Sequence, residues 1–151
     1  TAKGVGGYMN STLAKVDAVE NGYDDAIMLG DNDVVAEGSG QNLFLIKNGK
    51  IYTPPIETGA LGGITRKTVI EIANNLGLET EETNINADQL KDADELFFTG
   101  TATEVVGVVS VDGEDITDGK PGEITGNIRQ KYLEIVNGEN EDFLHYLTLV
   151  K

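Results

Sequence analysis

Cysteine and tryptophan are absent from the 151 residues of this chain, and histidine occurs once. Without cysteine there is neither a disulfide nor a thiolate metal site, so the fold does not depend on the redox state of its compartment. His145 sits in the apolar stretch Phe143-Leu144-His145-Tyr146-Leu147 and reads as a packing or surface residue, which leaves no material for a histidine-based triad or zinc site. Serine hydrolase signatures are missing as well. Basic residues are scarce: 11 Lys and Arg stand against 26 Asp and Glu, a formal net charge of −15. Phosphate backbones and anionic membranes are bound by clustered Lys and Arg, so neither nucleic acid nor a membrane surface is an expected partner. No apolar run approaches the ~18 to 20 residues that span a bilayer, and a cytoplasmic setting is expected.

Glycine is plentiful, with 19 residues, and implies tight turns and close backbone approaches. At 16.1 kDa the chain reads as one domain over residues 1–151, large enough to bury about two-thirds of the surface of its unfolded form. Met9, Leu13 and Val16 recur at helical spacing over residues 8–20, with Asn21-Gly22 as the stop. Ala26 to Leu29 and Val34-Val35 read as strands on either side of a turn. Asn42 to Lys47 is an apolar strand that returns through Asn48-Gly49 to Thr53. The spacing of Val69, Ile70, Ile72, Ala73 and Leu76 predicts a helix over 65–76 with Thr65 as its N-cap. A strand over 79–85, a short helix over 86–91 and strands over 95–99 and 103–111 follow. A helix marked by Ile124, Ile128, Tyr132 and Ile135 and a terminal helix over 141–149 complete the chain. The fold class expected is mixed α/β, a sheet or pseudo-barrel flanked by helices.

Lys3 is the first residue with chemical promise. A lysine is ordinarily a solvated charge, but Gly4, Gly6 and Gly7 beside it suit the close approach of a planar ligand, and Tyr8 offers a hydroxyl near the amine. A desolvated lysine loses its proton more readily and forms a Schiff base with an aldehyde. The glycine string is no dinucleotide fingerprint, since no strand feeds it. Glu37 lies between Val34-Val35-Ala36 and a Gly38-Ser39-Gly40 turn, where burial would call for a cationic partner such as a protonated pyridinium nitrogen. Gly62-Gly63-Ile64-Thr65-Arg66 opens the helix over 65–76, and N–H groups at a helix start bind phosphate, although an ordinary cap reads the same way. Gly100-Thr101-Ala102 is a second turn of small residues fit for an anion. Asp31-Asn32-Asp33 opens like a calcium loop, but Val35 and Ala36 occupy the positions of the third ligand and the glycine, so no metal is expected. Two anion cradles, one lysine and one acid make the inventory for a phosphate-bearing aldehyde cofactor.

In order and spacing these motifs resemble the large, C-terminal domain of class IV (fold type IV) aminotransferases, the branched-chain amino acid kind in particular. Agreement runs through Lys3, Tyr8, Gly22-Tyr23-Asp24, Glu37-Gly38-Ser39-Gly40 with Asn42, Thr53-Pro54-Pro55, Gly63-Ile64-Thr65-Arg66, Ala93-Asp94-Glu95, Thr99-Gly100-Thr101-Ala102 and Glu104-Val105. The resemblance implies pyridoxal 5'-phosphate held by Lys3 as an internal aldimine, with Lys3 then shuttling the substrate proton. It further implies that Tyr8 bonds the ring's phenolic oxygen, that Glu37 keeps the pyridine nitrogen protonated and that Leu61 packs on the ring. Ile64, Thr65 and Thr101 would hold the phosphate, and Thr101 with Ala102 would meet the substrate carboxylate. The reaction implied is amino transfer from Leu, Ile or Val to 2-oxoglutarate. D-amino acid aminotransferases and aminodeoxychorismate lyases share the fold and the Lys/Glu pair and are the alternatives. Gln41, Thr103 and Gly107 depart from the family's usual Glu, Ala and Pro. Family members also carry a smaller N-terminal domain that this stretch lacks, so the expectation is either a homodimer or higher homo-oligomer, or a cofactor-binding fragment completed by that domain.

Overall fold

The computed structural model describes residues 8–148. Helix α1 (Tyr8–Glu20) leads into a β1 (Ile27–Leu29) and β2 (Val35–Gly38) antiparallel pair, in which Met28 faces Glu37. Strands β3 (Asn42–Lys47) and β4 (Lys50–Thr53) form the hairpin that Asn48-Gly49 predicts. Both turn residues have positive φ, 52° and 75°, the geometry whose twist matches paired strands. Helix α2 (Ile64–Asn75), β5 (Thr80–Glu82), α3 (Ala87–Lys91), β6 (Glu95–Gly100) and β7 (Glu104–Val108) follow. A small hairpin of β8 (Ser110–Val111) and β9 (Glu114–Asp115) and helix α4 (Glu123–Val136) complete the regular elements.

The central sheet has the order β5-β4-β3-β6-β7, antiparallel throughout except for the β4 and β5 pair, which α2 joins as a crossover. Side chains alternate across a strand, and in β3 both sets are apolar. Phe44 and Ile46 enter a cluster with Ile72, Phe97, Ile128, Tyr132 and Ile135, the layer of α2 and α4. Leu43 and Leu45 enter a second cluster with Val35, Ile85, Leu90, Leu96 and Phe98. The sheet is therefore buried on both faces, and the register that pairs Phe44 with Phe97 stacks their rings at 4.9 Å. The expectation of a mixed α/β fold with a sheet flanked by helices is met.

Some boundaries differ. The helix expected at 65–76 starts at Ile64, and its N-cap is Gly63 rather than Thr65, which lies buried inside the first turn. The strand expected over 79–85 is regular only over Thr80–Glu82, although Ile85 remains in the core. The terminal helix is a 3-10 segment, Glu141–Tyr146, whose anchor is the buried Phe143. Helix α1 has the expected extent, but Met9, Leu13, Val16 and Val19 are exposed and only Ala18 is buried.

Candidate active site

The site grows from the end of β2. Val35 and Ala36 are buried in the strand, Glu37 is half-buried, and the chain then turns through Ser39-Gly40-Gln41 into β3. The Leu61 N–H donates to Glu37 Oε2 at 2.8 Å. Asn42 Nδ2, at the start of β3 and 6% exposed, donates to the Leu61 carbonyl at 2.7 Å. Leu61 is thus gripped on both sides by the two ends of one turn. Its carbonyl also accepts the Gly63 N–H at 2.8 Å, which shapes the approach to α2.

Gly63 is required by space rather than by backbone angle. Its φ and ψ of −64° and 143° suit any residue, but a Cβ there would lie 2.3 Å from Asn42 Oδ1. The glycine leaves the first turn of α2 without a capping side chain, and the N–H groups of Ile64, Thr65 and Arg66 have no acceptor within the helix. With the helix dipole they form a positive cradle for an anion. Helix α4 differs: Glu95 accepts there from the Ile124 and Thr125 N–H groups at 3.0 and 2.7 Å, so an internal carboxylate already satisfies that end. The first turn of α2 is fastened by Arg66, which is 4% exposed and donates through Nη2 to the Pro54 carbonyl at 3.0 Å and Glu82 Oε2 at 2.6 Å.

The second turn, Thr101-Ala102-Thr103, joins β6 to β7 where Gly100 pairs with Glu104. Asn42 pairs with Thr99, and a Cβ on Gly100 would contact the Gly40 carbonyl at 3.6 Å and Gln41 Cγ at 3.7 Å, so this turn lies against the Ser39-Gly40-Gln41 turn. Thr101 and Ala102 are both exposed. Glu37, Leu61 and the start of α2 are therefore linked by hydrogen bonds, and the Gly100-Thr101 turn adjoins them through Gly40 and Gln41. Ile64 is 76% exposed, so its side chain packs against little and its N–H is what it can offer the cradle. Tyr8 begins α1, which Lys15 ties to Asp25 at 2.9 Å. Lys3 lies outside the described residues.

Asp25, Asn42 and Arg66 are the residues whose part sequence reasoning did not see. Asn42 and Arg66 stand inside quoted motifs, where each could have been flagged as a buried polar group in need of partners. Asp25 left no signal, because its side-chain partners lie 10 to 16 positions away in the chain. Its carboxyl is partly desolvated, which would raise its pKa, but hydrogen bonds from Ser39, Lys15, the Ala26 N–H and Gln41 outweigh that and hold it below the usual aspartate value. No cluster of three metal-ligating side chains occurs among the described residues.

The amino-transferase class IV family profile matches residues 1–111. The chain is 45% identical over 150 residues to a branched-chain-amino-acid aminotransferase of Pseudomonas aeruginosa, covering 99% of this chain and 48% of that protein. A putative branched-chain-amino-acid aminotransferase of Methanocaldococcus jannaschii is 44% identical over 128 residues, 85% of this chain and 44% of that one. Among solved structures, the branched-chain amino acid aminotransferase of Thermobaculum terrenum in its PLP-form (holo-form) superposes with a TM-score of 0.94 at 41% identity, over 97% of this chain and 48% of its own. The branched-chain aminotransferase of Thermoproteus uzoniensis with norvaline gives 0.93 at 46% identity, again over 97% and 48%. The chain spans about half the length of these relatives.

Proposed function

The chain belongs to the amino-transferase class IV family, and we propose that it forms the cofactor-holding half of a branched-chain amino acid aminotransferase that uses pyridoxal 5'-phosphate. The observation that carries this reading is the linked pair of an acid and an anion cradle: Glu37 bonded to the Leu61 N–H, with the open start of α2 following at once. The residues present fit such a group, because α2 opens with no capping side chain and presents N–H donors that no helix carbonyl uses. When bound, the cofactor supplies an aldehyde carbon that takes an amine and a protonated ring that draws electrons from bonds to the attached carbon.

In this reading Lys3 provides the amine that holds the cofactor and then the base that takes the α-proton of Leu, Ile or Val. Glu37, aligned by the Leu61 N–H, keeps the ring nitrogen protonated. Tyr8 bonds the ring oxygen and Leu61 packs on the ring face. The N–H groups of Ile64 and Thr65, with Thr101, take the phosphate, and Thr101 with Ala102 takes the substrate carboxylate. 2-Oxoglutarate accepts the amino group. Residues 1–151 act as one domain in the cytoplasm. Turnover requires the half of the relatives' length outside the matched stretch, in the same chain or supplied by a partner, in a homodimer or higher homo-oligomer.

The test is a visible absorption spectrum after incubation with pyridoxal phosphate, followed by addition of leucine, with the half of the relatives' length outside the matched stretch supplied in the same chain or by a partner. A band present in wild type, lost in Lys3→Ala and shifted by leucine is the expected result. A wild-type spectrum equal to that of Lys3→Ala would reject the reading.

A further inference from the structure

Asp25 lies between α1 and β1, outside every stretch so far given a chemical task. Its side chain is 14% exposed and both of its oxygens are in use. Oδ1 accepts from the Ala26 N–H at 2.8 Å and Ser39 Oγ at 2.5 Å. Oδ2 accepts from Lys15 Nζ at 2.9 Å and Gln41 Nε2 at 2.9 Å. Gln41 is fixed at its other end, where Oε1 accepts the Gly40 N–H at 2.9 Å. One carboxylate thus clamps the Ser39-Gly40-Gln41 turn at two of its three residues and ties it to helix α1.

That turn is where the parts of the site meet. Glu37 precedes it and bonds the Leu61 N–H, Asn42 follows it and bonds the Leu61 carbonyl, and Gly100 lies against Gly40 and Gln41. Tyr8 stands at the start of the helix that Lys15 anchors. We propose that Asp25 is a positioning residue for the cofactor site, whose carboxylate holds α1 and the 39–41 turn in one arrangement so that Glu37, the start of α2 and the Gly100-Thr101 turn keep their mutual geometry. The proposal rests on the cofactor reading above for its purpose and on the hydrogen bonds alone for its mechanism. Asp25→Asn separates the two halves of the clamp. An amide oxygen still accepts from Ser39 and Ala26, whereas an amide N–H would meet the donors Lys15 and Gln41, so the carboxylate's bonds to α1 and to Gln41 are lost and Lys15 keeps only its bond to the Asp24 carbonyl.

The test uses the ligand-free chain first. The Leu61 amide resonance reports on Glu37, because its N–H is bonded to that carboxylate. In Asp25→Asn the Leu61, Gly100 and Thr101 amides are expected to shift while those of Phe44 and Phe97 stay in place. The dissociation constant for pyridoxal phosphate is expected to rise roughly tenfold, the scale of one hydrogen bond to a charged group. Asp25→Glu, which keeps the charge, should recover part of the affinity. Gln41→Leu removes one arm only and gives a smaller shift of the same amides, which keeps the proposal testable should Asp25→Asn fail to fold. Lower thermal stability with unmoved Leu61 and Gly100 amides and unchanged cofactor affinity would overturn it, leaving Asp25 a local structural acid. Amide shifts in a chain whose wild type takes up no pyridoxal phosphate would uphold the positioning role and reject the cofactor reading instead.

Discussion

Gly63→Ala is the sharpest probe of the site, because the backbone tolerates the change and the space does not. At φ −64° and ψ 143° alanine carries no conformational penalty, so the whole effect comes from its Cβ, placed 2.3 Å from Asn42 Oδ1. Carbon and oxygen do not approach within about 3 Å, so the Asn42 amide must withdraw by on the order of 1 Å. A hydrogen bond of 2.7 Å from Asn42 Nδ2 to the Leu61 carbonyl, drawn out by that amount, ceases to be one. Asn42 is 6% exposed, and water does not readily replace the lost partner. The cost is then the loss of a buried hydrogen bond with its groups left unsatisfied, roughly 2 kcal/mol. For a chain of this length that lowers Tm by about 4–8 °C. Urea unfolding of wild type, Gly63→Ala, Asn42→Ala and the double variant measures it. In the Asn42→Ala background the added methyl has room, so the second substitution should cost little and the cycle should show coupling of about 1–2 kcal/mol. Costs that add to within about 0.5 kcal/mol would refute the argument, since they would mean that Asn42 is not what excludes a side chain at Gly63.

Glu37→Gln keeps an acceptor for the Leu61 N–H but removes the charge, and should slow the leucine half-reaction by about a hundredfold or more while cofactor still binds, as followed by absorbance. Phe97→Ala removes a fully buried ring stacked on Phe44 and should cost about 3–5 kcal/mol in urea unfolding. Burial raises the pKa of Asp25, but its hydrogen bonds outweigh that and hold it below the usual value, so the unfolded chain binds the proton first as pH falls. The stability this contributes is complete above the unfolded aspartate pKa, near about 3.9, and is lost as pH drops through the lower folded value. Urea midpoints for wild type should therefore fall more steeply below about pH 4 than those for Asp25→Asn.

Much of the fold was legible because its signals are local. Asn48-Gly49 named its hairpin, and Val69, Ile72 and Ala73 named the buried face of α2. Thr65 misled as an N-cap because cap preference describes a side chain in open space, and here the decisive fact is Asn42 filling the room before the helix. The 3-10 segment at Glu141–Tyr146 shares its apolar spacing with an α-helix, and Phe143 alone reaches the core. Glu37 and the two turns stood out by residue type. What joins them could not: the Glu37 to Leu61 bond crosses 24 positions and pairs a side chain with a backbone group, which leaves no pattern in the sequence.

Helix α1 carries Tyr8, yet it buries only Ala18 and leaves Met9, Leu13, Val16 and Val19 in water. A 13-residue helix is marginal by itself in water, so its order depends on neighbours. A ligand that contacted Tyr8 would bind only molecules in which α1 is formed, and its measured affinity would be the intrinsic one scaled by that fraction.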